Sequence, residues 1–152
     1  MNDKANENKG YSKKALRETF YPFIISILVG VGFNYSPWAL CLNFSGLIES
    51  SLNLFGILIG FLITVLTIIN SIENSFTRAL KDNGSFNLLI LYLKHAIWGS
   101  FLSIVSAICY IFFSNWIIGE VEKYANTMFL MIFLFALLSS YRFISKFLKI
   151  SL

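Results

Sequence analysis

No charged residue occurs between Glu49 and Glu73, and the twenty residues from Leu52 to Ser71 inside that interval are almost all apolar. A helix of that length rises about 30 Å, the thickness of the hydrocarbon layer of a bilayer, and satisfies its backbone hydrogen bonds internally. Water is the wrong solvent for such a chain. Of 152 residues, 57% are hydrophobic and 13% charged, against roughly 45–50% and about 25% in soluble domains. The expected fold is all-α: a polytopic membrane helix bundle with about four transmembrane helices and a helical hairpin extending into the cytosol.

The apolar runs divide the chain into a cytosolic basic tail, residues 1–19, and a single transmembrane helical domain, residues 20–152. Spans are expected at about 20–35, 52–71, 96–114 and 127–145, with the cytosolic hairpin at 72–95. The first run is short for a span. With no small-x-small cleavage pattern after Asn34, it reads as a retained anchor. Between Ser36 and Ser51 the interruptions Pro37, Asn43, Gly46 and Glu49 suggest an interfacial or partly re-entrant segment. Asp82-Asn83-Gly84 is a strong helix stop, because Asn and Gly accept the left-handed conformation that closes a helix. Trp38 and Trp116 suit the two headgroup levels.

Orientation follows from the basic residues, since the positive-inside bias counts Lys and Arg. With both termini cytosolic, ten of the twelve lie inside: Lys4, Lys9, Lys13, Lys14, Arg17, Arg78, Lys81, Arg142, Lys146 and Lys149. Lys123 lies outside and Lys94 near the inner boundary. The lipid bilayer, with anionic headgroups, is the expected partner of these charges. Nucleic acid is not, because the sixteen Phe lie inside lipid-length runs rather than between basic residues. Cys41 and Cys109 make no disulfide framework and no metal spacing.

The second span carries small and polar residues at Asn53, Gly56, Gly60, Thr64, Thr67, Ser71 and Asn74, in steps of 3, 4, 4, 3, 4 and 3. A 3.5-residue average places all seven on one helix face, and Gly56 with Gly60 forms a GxxxG that permits close backbone approach. This face suits packing against the chain's other helices, an oligomer seam or a pore lining. Leu58 is expected to face lipid. A second stripe, Ala96, Gly99, Ser103, Ser106 and Tyr110, has the same period and suggests that the two stripes meet in a tight hairpin. Ser26 with Gly30, and Ala136 with Ser139 and Ser140, are shorter small-residue sets.

Charge near the membrane is limited to an inner-boundary polar cluster of Glu73, Lys94 and His95, with none at mid-bilayer, which disfavours a proton relay. A turn centred on Asn83 and Gly84 would set Glu73 level with Lys94. There is no HExxH, GxSxG, phosphate loop or intramembrane aspartate pair, so no catalytic residue, metal or cofactor is assigned.

Several features together carry a resemblance: Tyr35-Ser36-Pro37 after the first run, Glu49-Ser50-Ser51-Leu52 before the second, the small-rich run through Gly56, Ile59 and Thr67, and the charged turn from Ser71 to Gly84. In this order, over residues 21–113, the chain resembles the lambda-type phage exclusion membrane proteins, four-span inner-membrane proteins thought to open an ion-conducting path. It departs from them in its basic tail and a less basic inner turn. More broadly it looks like the short multi-span effectors of bacterial phage defence. The resemblance implies a homo-oligomeric, pore-type or membrane-perturbing effector of the bacterial inner membrane, acting with a cytosolic protein partner or signal. Two rivals explain the same residues: a non-conducting anchor or accessory subunit, and a bacteriocin-type immunity protein.

Overall fold

The computed structural model describes residues 13–36, 44–71, 85–116 and 119–151. Four helices account for nearly all of them: α1 (Lys13–Tyr35), α2 (Phe44–Ser71), α3 (Ser85–Phe112) and α4 (Glu120–Ser151). Three of these, over Phe44–Ser71, Phe86–Phe112 and Val121–Lys149, are long and apolar enough to cross a membrane. The first expected span is the exception: the apolar part of α1 is only Phe20–Tyr35. Sixteen residues rise about 24 Å, short of the ~30 Å hydrocarbon layer. Pro22 lies inside α1 and is fully buried.

The helices run further than the apolar runs alone suggest. α2 starts at Phe44 rather than Leu52, taking in Gly46 and Glu49. The reason is a continuous buried face through Phe44, Ile48, Ser51 and Phe55 at helical spacing, which outweighs the polar residues on the exposed side. α3 is one helix from Ser85, and α4 extends well past both ends of its expected span. A turn over Phe113–Trp116 leaves α3, closed by the Trp116 amide donating to the Phe113 carbonyl at 2.9 Å. Gly119 opens α4 with φ +66°, a conformation that costs glycine little and other residues more. Residues 37–43 and the Asp82-Asn83-Gly84 turn lie outside the described residues.

The packing order across the bundle is α2, α3, α4, α1, with α3 and α4 in the most extensive contact. Neighbours are antiparallel. Along α3 and α4, Tyr92 meets Arg142, Gly99 meets Ala136 and Tyr110 meets Asn126, so the number rises on one helix as it falls on the other. Along α1 and α4, Phe23 meets Phe135 edge-on with centroids 6.3 Å apart, and Gly30 lies against Met131. The start of α1 and the end of α4 therefore lie toward one end, here called proximal. At the distal end Phe44, Ile48, Ala107 and Phe129 form a buried cluster, joined by Phe33 and Phe133. Ring contacts of Phe33 with Phe44 (5.8 Å) and Phe55 with Phe133 (5.5 Å) draw α1, α2 and α4 together there. The proximal half is filled by Leu62, Val65 and Ile69 of α2, Leu89, Tyr92, Leu93 and Ala96 of α3, and Phe143 of α4.

In lipid, apolar surface gains little by meeting more apolar surface, so helix association rests on close packing and hydrogen bonds. Gly99 supplies a close approach to the backbone of a neighbouring helix. A methyl group on it would come within 3.2 Å of the Ala136 Cα and 3.3 Å of the Phe135 ring. Gly32, by contrast, has open space where a side chain would start. Gly99→Leu is expected to separate α3 from α4 at a cost of about 1–3 kcal/mol, whereas Gly32→Leu is expected to be neutral. Thermal unfolding in one detergent, read for both variants against the parent, checks the contrast.

Candidate functional site

The two small-residue stripes point in different directions. On α3, Ala96, Gly99 and Ser103 are buried and Ser106 is half-buried, and Gly99 faces α4 rather than α2. On α2, Asn53, Gly56, Gly60, Thr64, Thr67 and Ser71 are all exposed, and nothing lies within 4 Å of where a side chain on Gly56 or Gly60 would begin. The expected meeting of the two stripes in a hairpin does not occur. α2 turns its large residues inward instead, with Phe55 and Leu62 fully buried, and a helix that fills a core with one face must turn the opposite face outward. Leu58, expected to face lipid, is half-buried against the proximal core. Asn74 lies outside the described residues.

The chemistry of the outward α2 face is mild. Thr64 donates its hydroxyl hydrogen to the Gly60 carbonyl at 2.8 Å and Thr67 to the Ile63 carbonyl at 2.9 Å. These bonds to the previous turn leave neither threonine hydroxyl demanding a partner, so the groove can meet lipid or another helix. Ile57, 78% exposed, stands beside it. Within the chain α2 is the least covered spanning helix, with 22% of its apolar window buried against 39% for α3 and α4.

At the proximal end only part of the expected trio falls on the described residues. Glu73 lies outside the described residues, Lys94 is exposed and His95 is half-buried. The buried cation is Arg142, 8% exposed, with its guanidinium carbon 4.1 Å from the centroid of the fully buried Tyr92 ring. Arg142 reads in the sequence as a marker of the inner end of the fourth span. Its spacing to Ser139 and Phe143, both buried, is the signal that it also belongs to the inward face. An arginine over a ring face in a desolvated setting is worth about 1–2 kcal/mol. At the distal end of the same helix pair, the Tyr110 hydroxyl donates to Asn126 Oδ1 at 2.6 Å.

Between these two ends lie Ser100, Ser103, Ser139 and Ser140, all buried. None of their hydroxyls has a hydrogen-bond partner within the protein, and the same holds for His95 Nδ1. Among the described residues no group of three His, Cys, Asp or Glu side chains could hold a metal ion. Cys109 is a free, exposed thiol, and Cys41 lies outside the described residues. No protein-family model, curated protein or solved structure matches the chain.

A double-mutant cycle with Tyr92→Leu and Arg142→Met tests whether the ring contact carries energy beyond packing. The expected coupling is about 1–2 kcal/mol in unfolding free energy. Simple additivity would reduce the pair to neighbours that share a core.

Proposed function

We propose that this chain is a bacterial inner-membrane effector that acts without catalysis. It self-associates through the outward face of α2, and the assembly opens or perturbs the bilayer when a cytosolic partner or signal acts. The observation that carries this reading is the orientation of α2. Its GxxxG-bearing face, suited to close helix approach, is left uncovered by the chain's own helices, while its bulky face is spent on the core. The resemblance to the phage exclusion membrane proteins, which rests on sequence pattern alone, points the same way.

In the proposed topology both termini are cytosolic and α1 crosses as a fourth, short span. The bilayer accommodates such a span by thinning locally or by snorkelling of flanking side chains, at fractions of a kcal/mol per Å. The proximal end then faces the cytosol, with Lys94, Tyr141 and Lys149 exposed near anionic headgroups. The membrane potential supplies about 2.3 kcal/mol per charge per 100 mV, so rearranging helices is enough to produce a leak without any chemistry.

The same exposed proximal residues favour one alternative, an anchor that docks a cytosolic protein and conducts nothing. Expression in cells loaded with a potential-sensitive dye separates the two. The effector reading expects depolarisation on induction, abolished by Gly60→Leu. Because a side chain at Gly60 would begin in open space, this variant is expected to change folding stability by no more than about 0.5 kcal/mol. No depolarisation under any induction supports the anchor. Depolarisation undiminished in a folded Gly60→Leu protein removes the α2 face from the activity.

A further inference from the structure

Two groups of hydroxyls stand apart among the described residues. Ser26, Ser51, Thr64, Thr67, Ser106 and Thr127 each donate to a carbonyl three or four residues back on their own helix, at 2.7–2.9 Å. That is the ordinary way for a membrane helix to carry a hydroxyl at no cost. Ser100, Ser103, Ser139 and Ser140 do not do this, although all four are at least 97% buried. They share one location, the stretch of α3 and α4 on either side of the Gly99–Ala136 contact.

The antiparallel register sets their heights. Taking Gly99 and Ala136 as level, at about 1.5 Å per residue, Ser103 lies roughly 6 Å toward the distal end. Ser100 lies close to that level, and Ser139 and Ser140 lie roughly 5–6 Å toward the proximal end. The four hydroxyls therefore span about 12 Å of the membrane's depth. His95 stands level with Ser140, and Arg142 continues the polar series one step further proximally. In the distal direction the series stops, because Ala107, Phe129, Phe44 and Ile48 close the interior with apolar side chains.

A buried hydroxyl with no partner loses its hydration and gains nothing in exchange, so four of them in one seam would offset much of the stability of a small bundle. Water removes that cost wherever two or more polar groups can hold it. We infer that the α3–α4 pair holds a water-binding site on the proximal side of the Gly99–Ala136 contact, a few molecules held by Ser139, Ser140 and His95 Nδ1. The site is reached from the Arg142 end and stopped distally where the two backbones meet at Gly99 and Ala136. It forms half of a polar path inside each protomer, with an apolar constriction of the kind that gates by excluding water. The inference does not depend on self-association through α2.

The test uses silver ion, comparable in size to water, which reacts with thiols that water can ionise. In a chain with Cys41 and Cys109 replaced by serine, cysteines are placed singly at Ser139, Ser140, Ala107 and the exposed, lipid-side Ile108. Membrane vesicles of defined sidedness are exposed to silver, and protection from a maleimide is read after denaturation. Ser139→Cys and Ser140→Cys are expected to be protected at least tenfold faster than Ala107→Cys and Ile108→Cys, and faster from the proximal side. Equal rates at all four positions, or faster reaction from the distal side, would overturn the inference. Thermal unfolding of the Ser139→Ala, Ser140→Ala double variant gives a second reading. A hydrated seam loses bridging partners and the midpoint falls by a few degrees, whereas a dry seam sheds two unsatisfied groups and the midpoint rises, which contradicts the proposal. Hydration together with no depolarisation of cells would leave the water site standing and refute conduction alone.

Discussion

The architecture depends on the close approach of α3 and α4 at Gly99 and Ala136. In a bilayer no hydrophobic driving force gathers helices, so the contact that brings two backbones nearest sets both the strength and the register of the bundle. Here a side chain no larger than a methyl group would meet the opposing Cα at 3.2 Å. With that point fixed, the antiparallel helices carry Tyr92 to Arg142 at one end and Tyr110 to Asn126 at the other. Different forces act at the two ends, a cation over a ring face and a hydroxyl-to-amide hydrogen bond, and both depend on the same register.

The other two helices attach to this pair from opposite sides. α1 leans on α4 through Phe23 and Gly30, and α2 leans on α3 through Leu62, Val65 and Ile69. α2 is therefore an edge helix, and its two faces divide the work of folding and of display. Bulky side chains give it dispersion contacts inward. The small face outward adds nothing to the protomer, yet it contains the one GxxxG of the chain and two threonines whose hydroxyls are already closed on their own helix. That combination is suited to another helix at least as well as to lipid.

Much of the fold was legible in the residues. The uncharged run from Leu52 to Ser71 required a spanning helix, and the runs through Ala96–Phe112 and Thr127–Arg142 required two more. The 3.5-residue spacing correctly placed Gly99 and Ser103 on one face. Periodicity assigns residues to a face, however, and leaves open which way the face points. Asn53, Gly56 and Gly60 could have met α3, and the volume of Phe55 and Leu62 turned them outward instead. Helix ends were harder still, because Ser45, Gly46 and Glu49 break the apolar run without breaking the buried line of Phe44, Ile48 and Ser51. The burial of Arg142 was not legible, since a basic residue at the end of an apolar run ordinarily reaches for water. Only the three-dimensional proximity of Tyr92, separated from it in sequence by a whole loop, brings it inside.

The account stands or falls on whether the outward face of α2 meets a second copy of the chain in the membrane. Mild oxidation of membranes carrying Thr64→Cys, in a chain with Cys41 and Cys109 replaced by serine, tests this directly, with Ile108→Cys on the exposed surface of α3 as the reference. The account predicts a disulfide-linked dimer at Thr64→Cys forming at least tenfold faster than at Ile108→Cys. Equal, slow cross-linking at both positions would show that the α2 face meets lipid alone and would contradict the account.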